Sequence, residues 1–266
     1  MGIPLVIGVT GHRALRTQDA PLLRAAVREA LCALRERCPH TELRMLNSLA
    51  SGADTLCAQV AAELGIPLDC PLPLPLADYR KDFDGEDLAC FDSLLAGAET
   101  VFVAPPAEKA PSSPPRSFFY RQAGIYVAVH CHILLALWDG VPSEPNGCGA
   151  AAAVEFHLDG AYRPVSGAAV RTADNGTVLH VYTPRAGTET PPSPAGSVRV
   201  LGNEAAMDAI IRQTEEFNRL AADVEGTDRP LLPPDAPRDA VLARMEPLYR
   251  AAGALRRASA SARYSM

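Results

Sequence analysis

Five short apolar runs recur through the first half of the chain, each closed by a glycine-, proline- or polar-rich turn and followed by a stretch of helical period. No other feature restricts the fold as much. A continuously apolar run of roughly four to eight residues needs cover on both faces, which a parallel sheet between two helical layers provides. The runs lie at residues 3–9, 42–46, 67–72, 100–103 and 132–138, and helices are expected at 19–37, 52–64, 86–96 and 120–129. In the first helix Leu22, Leu23, Ala26, Val27, Ala30, Leu31 and Leu34 recur at three- and four-residue steps, giving one wide apolar stripe. The sequence therefore predicts an α/β fold: a Rossmann-like, doubly wound, mainly parallel sheet with helices on both faces.

With 266 residues, 48% of them hydrophobic, the chain can fill a large core. Its formal net charge of −6 argues against a nucleic-acid-coating surface, and no nucleic-acid partner is expected. Seven cysteines without a CxxC pair point to reduced thiols and a cytoplasmic setting. No signal peptide stands at the start, and no run approaches the ~20 apolar residues that span a bilayer. No metal site or cofactor is expected.

Two segments, 104–116 and 183–196, carry too much proline for regular structure and read as loops. A strand at 178–183 is expected, followed by two polar-faced helices near 203–224 and 238–257. Residues 1–200 are thus read as a ligand-binding domain and 201–266 as a C-terminal helical extension. Because the chain ends in helical composition, the extension is expected to lead into an effector or membrane segment, with a membrane tether for the longer protein.

In an open α/β sheet, ligands sit beyond the carboxyl ends of the strands, where loops meet helix N-termini. After the first strand comes Thr10-Gly11-His12-Arg13; after the second, Ser48 to Asp54; after the third, a proline-rich stretch leading to Tyr79-Arg80; after the fifth, Asp139-Gly140, then Gly147-Cys148-Gly149-Ala150. Glycines 11, 52, 147 and 149 let backbone approach a ligand, and the helix starts offer N–H groups to an anion. Arg13 and Arg121 are suited to phosphate, Asp54 and Asp139 to ribose hydroxyls.

Taken together, GVTGHR, NSLASGADTLCAQVA, PLPLPLADYRKDF and YRQAGIYVAVHCHILLALWDG resemble the SLOG superfamily, which groups DNA-processing proteins with the LOG cytokinin-activating enzymes. The resemblance covers about residues 3–156. It is strongest to a bacterial subgroup similar to sensor domains of anti-phage conflict systems and of TRPM channels. That resemblance implies a homo-oligomeric sensor of a nucleotide-derived signal, related to NAD or ADP-ribose or a cyclic nucleotide. It places the phosphate-binding turn at Thr10, Gly11, His12 and Arg13, the second loop at Ser48, Ser51, Gly52 and Asp54, and the third site at Gly147 to Ala150. LOG enzymes carry an arginine in R-K-x-x-M, matched here by Arg121, but Gln122 stands at the lysine. Their glutamate soon after G-G-x-G-T is missing too: Ala152 and Ala153 stand there, and the nearest carboxylate is Glu155. The resemblance therefore implies no catalytic residue, with a LOG-like nucleotide N-glycosidase using Arg121 and Glu155 as the alternative.

Several residues admit plainer roles. Tyr79 and Arg80 suit a surface turn as well as a ligand contact. An acid such as Asp54 is favoured in a first helical turn by the dipole alone. His130-Cys131-His132 reads as a helix-to-strand junction rather than a metal cluster and Trp138 as strand-end packing; Arg13, a charged residue just beyond a buried strand, reads first as a ligand contact, with a salt bridge to a neighbouring helix as the alternative.

Overall fold

A computed structural model describes residues 2–142, 147–159, 161–162, 170–171, 176–187 and 191–225. The chain runs β1 (Leu5–Gly11), α1 (Ala20–Arg37), β2 (Leu43–Leu46), α2 (Ala53–Glu63), β3 (Leu68–Leu72), a short α3 (Leu76–Tyr79), α4 (Gly85–Ala96), β4 (Thr100–Val103), α5 (Arg116–His130) and β5 (Ile133–Trp138). It continues through α6 (Ala150–Asp159), the small hairpin β6 (Ala161–Tyr162) and β7 (Val170–Arg171), β8 (Thr177–Tyr182), β9 (Val198–Gly202) and α7 (Glu204–Glu225). Seven strands form one sheet in the order β4-β3-β2-β1-β5-β8-β9, parallel except for the antiparallel β8–β9 pair.

That order makes the fold Rossmann-like and doubly wound. From β1 the chain winds outward through β2, β3 and β4, then returns to place β5 on the other side of β1. The register Ile7↔Ile133 to Gly11↔Leu137 joins the two halves. Strand alternation distributes the core. Ile133, Leu135 and Leu137 pack with α1, α2 and α7 residues, whereas Leu134, Ala136 and Trp138 pack with Val127 of α5 and Ala150, Ala151 and Val154 of α6. All six residues of β5 are buried, as an uninterrupted apolar run between two layers requires.

The expected helices are present, with one shift: α5 begins at Arg116, four residues before the expected start, so the proline-rich loop ends at its Pro115 N-cap. Proline suits that position because a helix start needs no N–H there. Within the loop, Ala107 N–H donates to Gln122 Oε1 at 2.8 Å.

The expected boundary at residue 200 falls inside β9, a strand the sequence reading did not anticipate. Beyond it, α7 is not polar all round. Met207, Ile211, Thr214 and Asn218, spaced four, three and four apart, form a buried face, and Met207 and Ile211 join the main core. The helix expected at 238–257 lies outside the described residues.

Asn218 fastens α7 to the amino end of β1. Its Oδ1 accepts the Ile3 N–H at 2.7 Å, and its Nδ2 donates to Ile3 O at 2.8 Å and Thr41 Oγ1 at 2.9 Å. Glu215 accepts from Thr41 Oγ1 at 2.8 Å and contacts His40 Nδ1 at 2.6 Å, and Arg37 pairs with Asp208 at 2.6 Å. Among the described residues no helix is long and apolar enough to cross a membrane.

Asn218→Ala strips partners from the Ile3 backbone and the Thr41 hydroxyl, so it is expected to cost about 1–3 kcal/mol. Urea denaturation checks this; a midpoint equal to wild type would show that the clamp contributes nothing.

Candidate functional site

Because β1 and β5 are neighbours whose following segments leave in opposite directions, the sheet has its switch point between their carboxyl ends. The β1 turn stands on one lip and Asp139-Gly140 on the other.

His12 ties the lips together. Its backbone N–H donates to Leu137 O at 3.0 Å, and its Nε2 accepts the Asp139 N–H at 3.1 Å. An accepting Nε2 makes the ring neutral with its proton on Nδ1. Burial pushes the imidazole pKa down, though Asp139 Oδ1 lies 3.4 Å from Nε2 and opposes the shift. The His12 carbonyl accepts the Ala53 N–H at 3.0 Å, docking the start of α2 onto the β1 turn.

That docking explains Gly11 and Gly52 differently from the sequence reading. A Cβ on Gly11 would overlap the Ala53 methyl and stand 2.7 Å from Leu137 O; one on Gly52, where φ is +86°, would overlap Arg13 O and stand 2.6 Å from His12 O. The space assigned to a ligand at these two glycines is filled by the protein's own atoms. Gly149, with φ +134° and open space around it, keeps the freedom expected just before α6, and Ala150 opens that helix buried. Gly147 is half-buried.

Arg13 is exposed, and its guanidinium carbon lies 5.7 Å from the centre of the Tyr120 ring, a cation–π contact in place of the salt bridge considered above. Tyr120 is held in turn: its hydroxyl donates to Asp82, Arg116 Nε donates to it at 3.0 Å, and Arg116 pairs with Asp82 at 2.5 Å. Behind this group, Tyr79 is buried against Phe83, Phe91 and Tyr120, with ring centres 5.1, 5.6 and 6.4 Å away. Its phenol is pushed far above the ordinary range by burial, and it feels the charges of Asp54 and Arg13.

Asp54 is buried in the first turn of α2, with 8% of its surface exposed. Burial pushes its carboxyl pKa up to about 7, against the Ala50 N–H, 3.4 Å from Oδ2, and the charge of Arg13. Its own carbonyl accepts from Asn47 Nδ2 at 2.9 Å, and Asn47 Oδ1 accepts the Leu49 N–H at 2.7 Å, so the loop before α2 is rigidly built. Ser48 donates to Pro71 O at 2.8 Å, Ser51 is half-buried, and Thr10 is a β1 residue opposite Ala136.

On the other lip, burial alone would raise the Asp139 pKa, but the hydrogen bond from Arg185, the Val141 N–H and the nearby charges hold it below the usual carboxylate range. Arg185 Nε lies 2.5 Å from Asp139 Oδ2, and an isolated bridge joins Leu15 to Arg185. The segment after β8 therefore links both lips.

The remaining expected residues are placed less centrally. Arg80 is exposed and pairs with Asp92 of α4 at 2.7 Å. Arg121 and Glu155 are half-buried on α5 and α6; Ala152 is half-buried and Ala153 buried. His130 and His132 serve the helix-to-strand junction, with His130 Nδ1 2.8 Å from Tyr126 O and His132 Nδ1 accepting the Val6 N–H at 2.9 Å. Trp138 is buried at the strand end and donates to Val141 O at 2.9 Å. Asp82, Arg116, Tyr120 and Arg185 were not foreseen. The i, i+4 spacing of Arg116 and Tyr120 hinted at one pair, whereas nothing local marks Arg185 as a partner of Asp139.

These features define a doubly wound α/β protein with polar side chains gathered at its switch point. No family model matches the sequence, and no curated protein does. Among solved structures, DNA processing protein A (DprA) from Streptococcus pneumoniae is similar at 19% identity with a TM-score of 0.32, over 50% of this chain and 41% of that one. The chain thus spans less than half the length of that protein.

Gly52→Ala forces a side chain into Arg13 O at a left-handed φ and is expected to cost more than about 2 kcal/mol; a thermal midpoint near wild type would contradict the packing. A second prediction concerns pH. Folded Asp54 stays protonated to about pH 7, against a reference value of 3.8, so the folded state binds more protons across that window and stability falls as pH rises through it. Asp54→Asn should change little at pH 4 and stabilise by roughly 1–3 kcal/mol at pH 8. Equal effects at both pH values would show a carboxylate that is not strained by burial.

Proposed function

We propose that the chain is a SLOG-type sensor domain that binds a nucleotide-derived signal in the switch-point crevice and passes binding to an effector or to a homo-oligomer, in bacterial anti-phage defence. The observation that carries the reading is Asp54. A buried carboxyl with a raised pKa, beside an exposed arginine at the carboxyl edge of a Rossmann-like sheet, costs stability, and that cost supports a role in binding. In this reading Arg13 takes a phosphate, the start of α6 at Gly147, Gly149 and Ala150 takes further anionic oxygens, and Asp139 accepts a ribose hydroxyl. Thr10, His12, Ser48, Ser51 and Tyr79 shape the wall, and Arg80 and Arg121 border it.

The route outward follows β1. Its carboxyl end carries His12 and Arg13, and the chain just before its amino end is clamped by Asn218 of α7. A ligand that displaces Arg185 from Asp139 also releases the segment bridging Leu15. Both changes reach the surface without chemistry on the ligand.

The second reading is a nucleotide N-glycosidase, favoured by the half-buried Glu155 on the α6 face that also carries Ala152. Cleavage builds positive charge on the ribosyl carbon, and a well-placed carboxylate is worth about 10²-fold to 10³-fold in rate. Glu155 stands in the second turn of α6 rather than its first, which weakens that role.

Incubation with AMP, NAD, ADP-ribose and a cyclic nucleotide separates the two. The sensor should be thermally stabilised by at least one of them without release of base, and Arg13→Ala should weaken that binding by roughly tenfold or more with an unchanged melting midpoint. Base release abolished by Glu155→Gln would establish the glycosidase instead.

A further inference from the structure

A buried histidine outside the machinery described above points to one more ligand contact. His180 in β8 is fully buried and uses both ring nitrogens: Nε2 lies 2.8 Å from Trp138 O, and Nδ1 accepts from Arg199 Nε at 3.0 Å. Accepting at Nδ1 keeps the ring neutral with its proton on Nε2, in line with a pKa pushed down by burial. An apolar residue would serve the core better than an imidazole there. What the imidazole does is hold the Nε edge of Arg199.

Arg199 stands at the start of the antiparallel β9, so it emerges at the same rim as the carboxyl ends of β5 and β8. The register His180↔Arg199 and His180↔Ala136 puts the pair on the sheet face that α6 covers, where Ala136 and Trp138 pack with Ala150 and Ala151. The guanidinium reaches back over the Gly140 turn; its Nη2 lies 3.8 Å from where a Cβ on Gly140 would stand. No carboxylate among the described residues pairs with it, and the Asp139 carboxylate next door is already paired with Arg185. A guanidinium gripped at Nε presents its Nη edge for a two-point contact with an oxyanion.

We propose that Arg199, positioned by His180, is a second anion-reading residue, and that the crevice takes a ligand carrying two separated anionic groups, such as a diphosphate-bridged nucleotide, rather than a nucleoside monophosphate. The inference rests on the crevice being the nucleotide site. Arg13 follows β1 on the α2 side of the switch point, and Arg199 comes from a strand three positions away and ends over the β5 turn. Arg13 leans onto Tyr120, which Asp82 and Tyr79 hold on the β3 side of β1, whereas the Arg199 guanidinium lies over the β5 turn on the other side, so the two cations face different ends of the rim and suit two separate anionic groups.

Titration calorimetry on the full chain with AMP and ADP-ribose as probes tests it. Wild type should bind ADP-ribose at least about tenfold tighter than AMP. Arg199→Gln should bring ADP-ribose down to the AMP level and leave AMP unchanged, and Arg199→Lys should recover part of the loss; a melting midpoint for each variant reports the fold. ADP-ribose binding unaffected by Arg199→Gln, or AMP and ADP-ribose weakened alike, would overturn the role of Arg199 while leaving the crevice as the site. If wild type binds neither probe, this inference fails, and the site reading fails with it only when NAD and the cyclic nucleotide do not bind either; if Arg13→Ala weakens both probes while Arg199→Gln weakens neither, only the inference fails.

Discussion

The pairing of β1 with β5 is the constraint on which the rest of the structure depends. It joins the two windings of the chain, buries a strand on both faces, and sets two loops side by side at the carboxyl edge. A parallel pair cannot be closed by a tight turn, so the chain must travel out through three strands and back before the partner arrives. The switch point follows from that detour, because the segments after β1 and β5 leave in opposite directions. His12 then extends the β1–β5 ladder past the strand ends through the Leu137 carbonyl and the Asp139 N–H.

Around this junction polar groups are buried at a cost and spent on position. His12 and His180 are both held neutral, each accepting a hydrogen bond at one ring nitrogen, and neither needs a charge to do its work. Asp54 differs: it has a raised pKa, an arginine within electrostatic reach and only a long backbone contact at 3.4 Å. Arg44 shows what a structural ion pair looks like in the same protein, with contacts to Asp69 at 2.9 Å and Glu99 at 3.1 Å. Against that standard, neither Arg13 nor Asp54 has an ion-pair partner among the described residues.

The opposite end of the sheet is organised for cohesion. Asn218 satisfies both backbone groups of Ile3, and Glu215 gathers His40 and Thr41, so α7 closes the amino edge beside α1. The amino edge is thus closed by paired polar groups, whereas at the carboxyl edge Arg13 has a ring contact with Tyr120 in place of an ion pair. β1 is the shortest covalent path between them, and its central residues are buried and hydrogen-bonded on both sides.

The local sequence determined the elements. Apolar runs need two-sided cover, and the stripe in α1 needs one sheet, so the doubly wound fold was legible from periodicity alone. The loops bearing Arg13, Asp54 and Asp139 were legible too, because ligand chemistry in such folds is confined to the carboxyl edge. What remained hidden were relations between segments distant in sequence. That Gly52 makes room for Arg13 O, that Arg185 occupies Asp139, and that His180 holds Arg199 depend on distances set by strand register, which no local pattern encodes. Likewise, α7 read as a polar-faced extension because its buried face ends in Thr214 and Asn218 after Met207 and Ile211; only docking against Ile3 and Thr41 gives Asn218 its partners and makes the face part of the core.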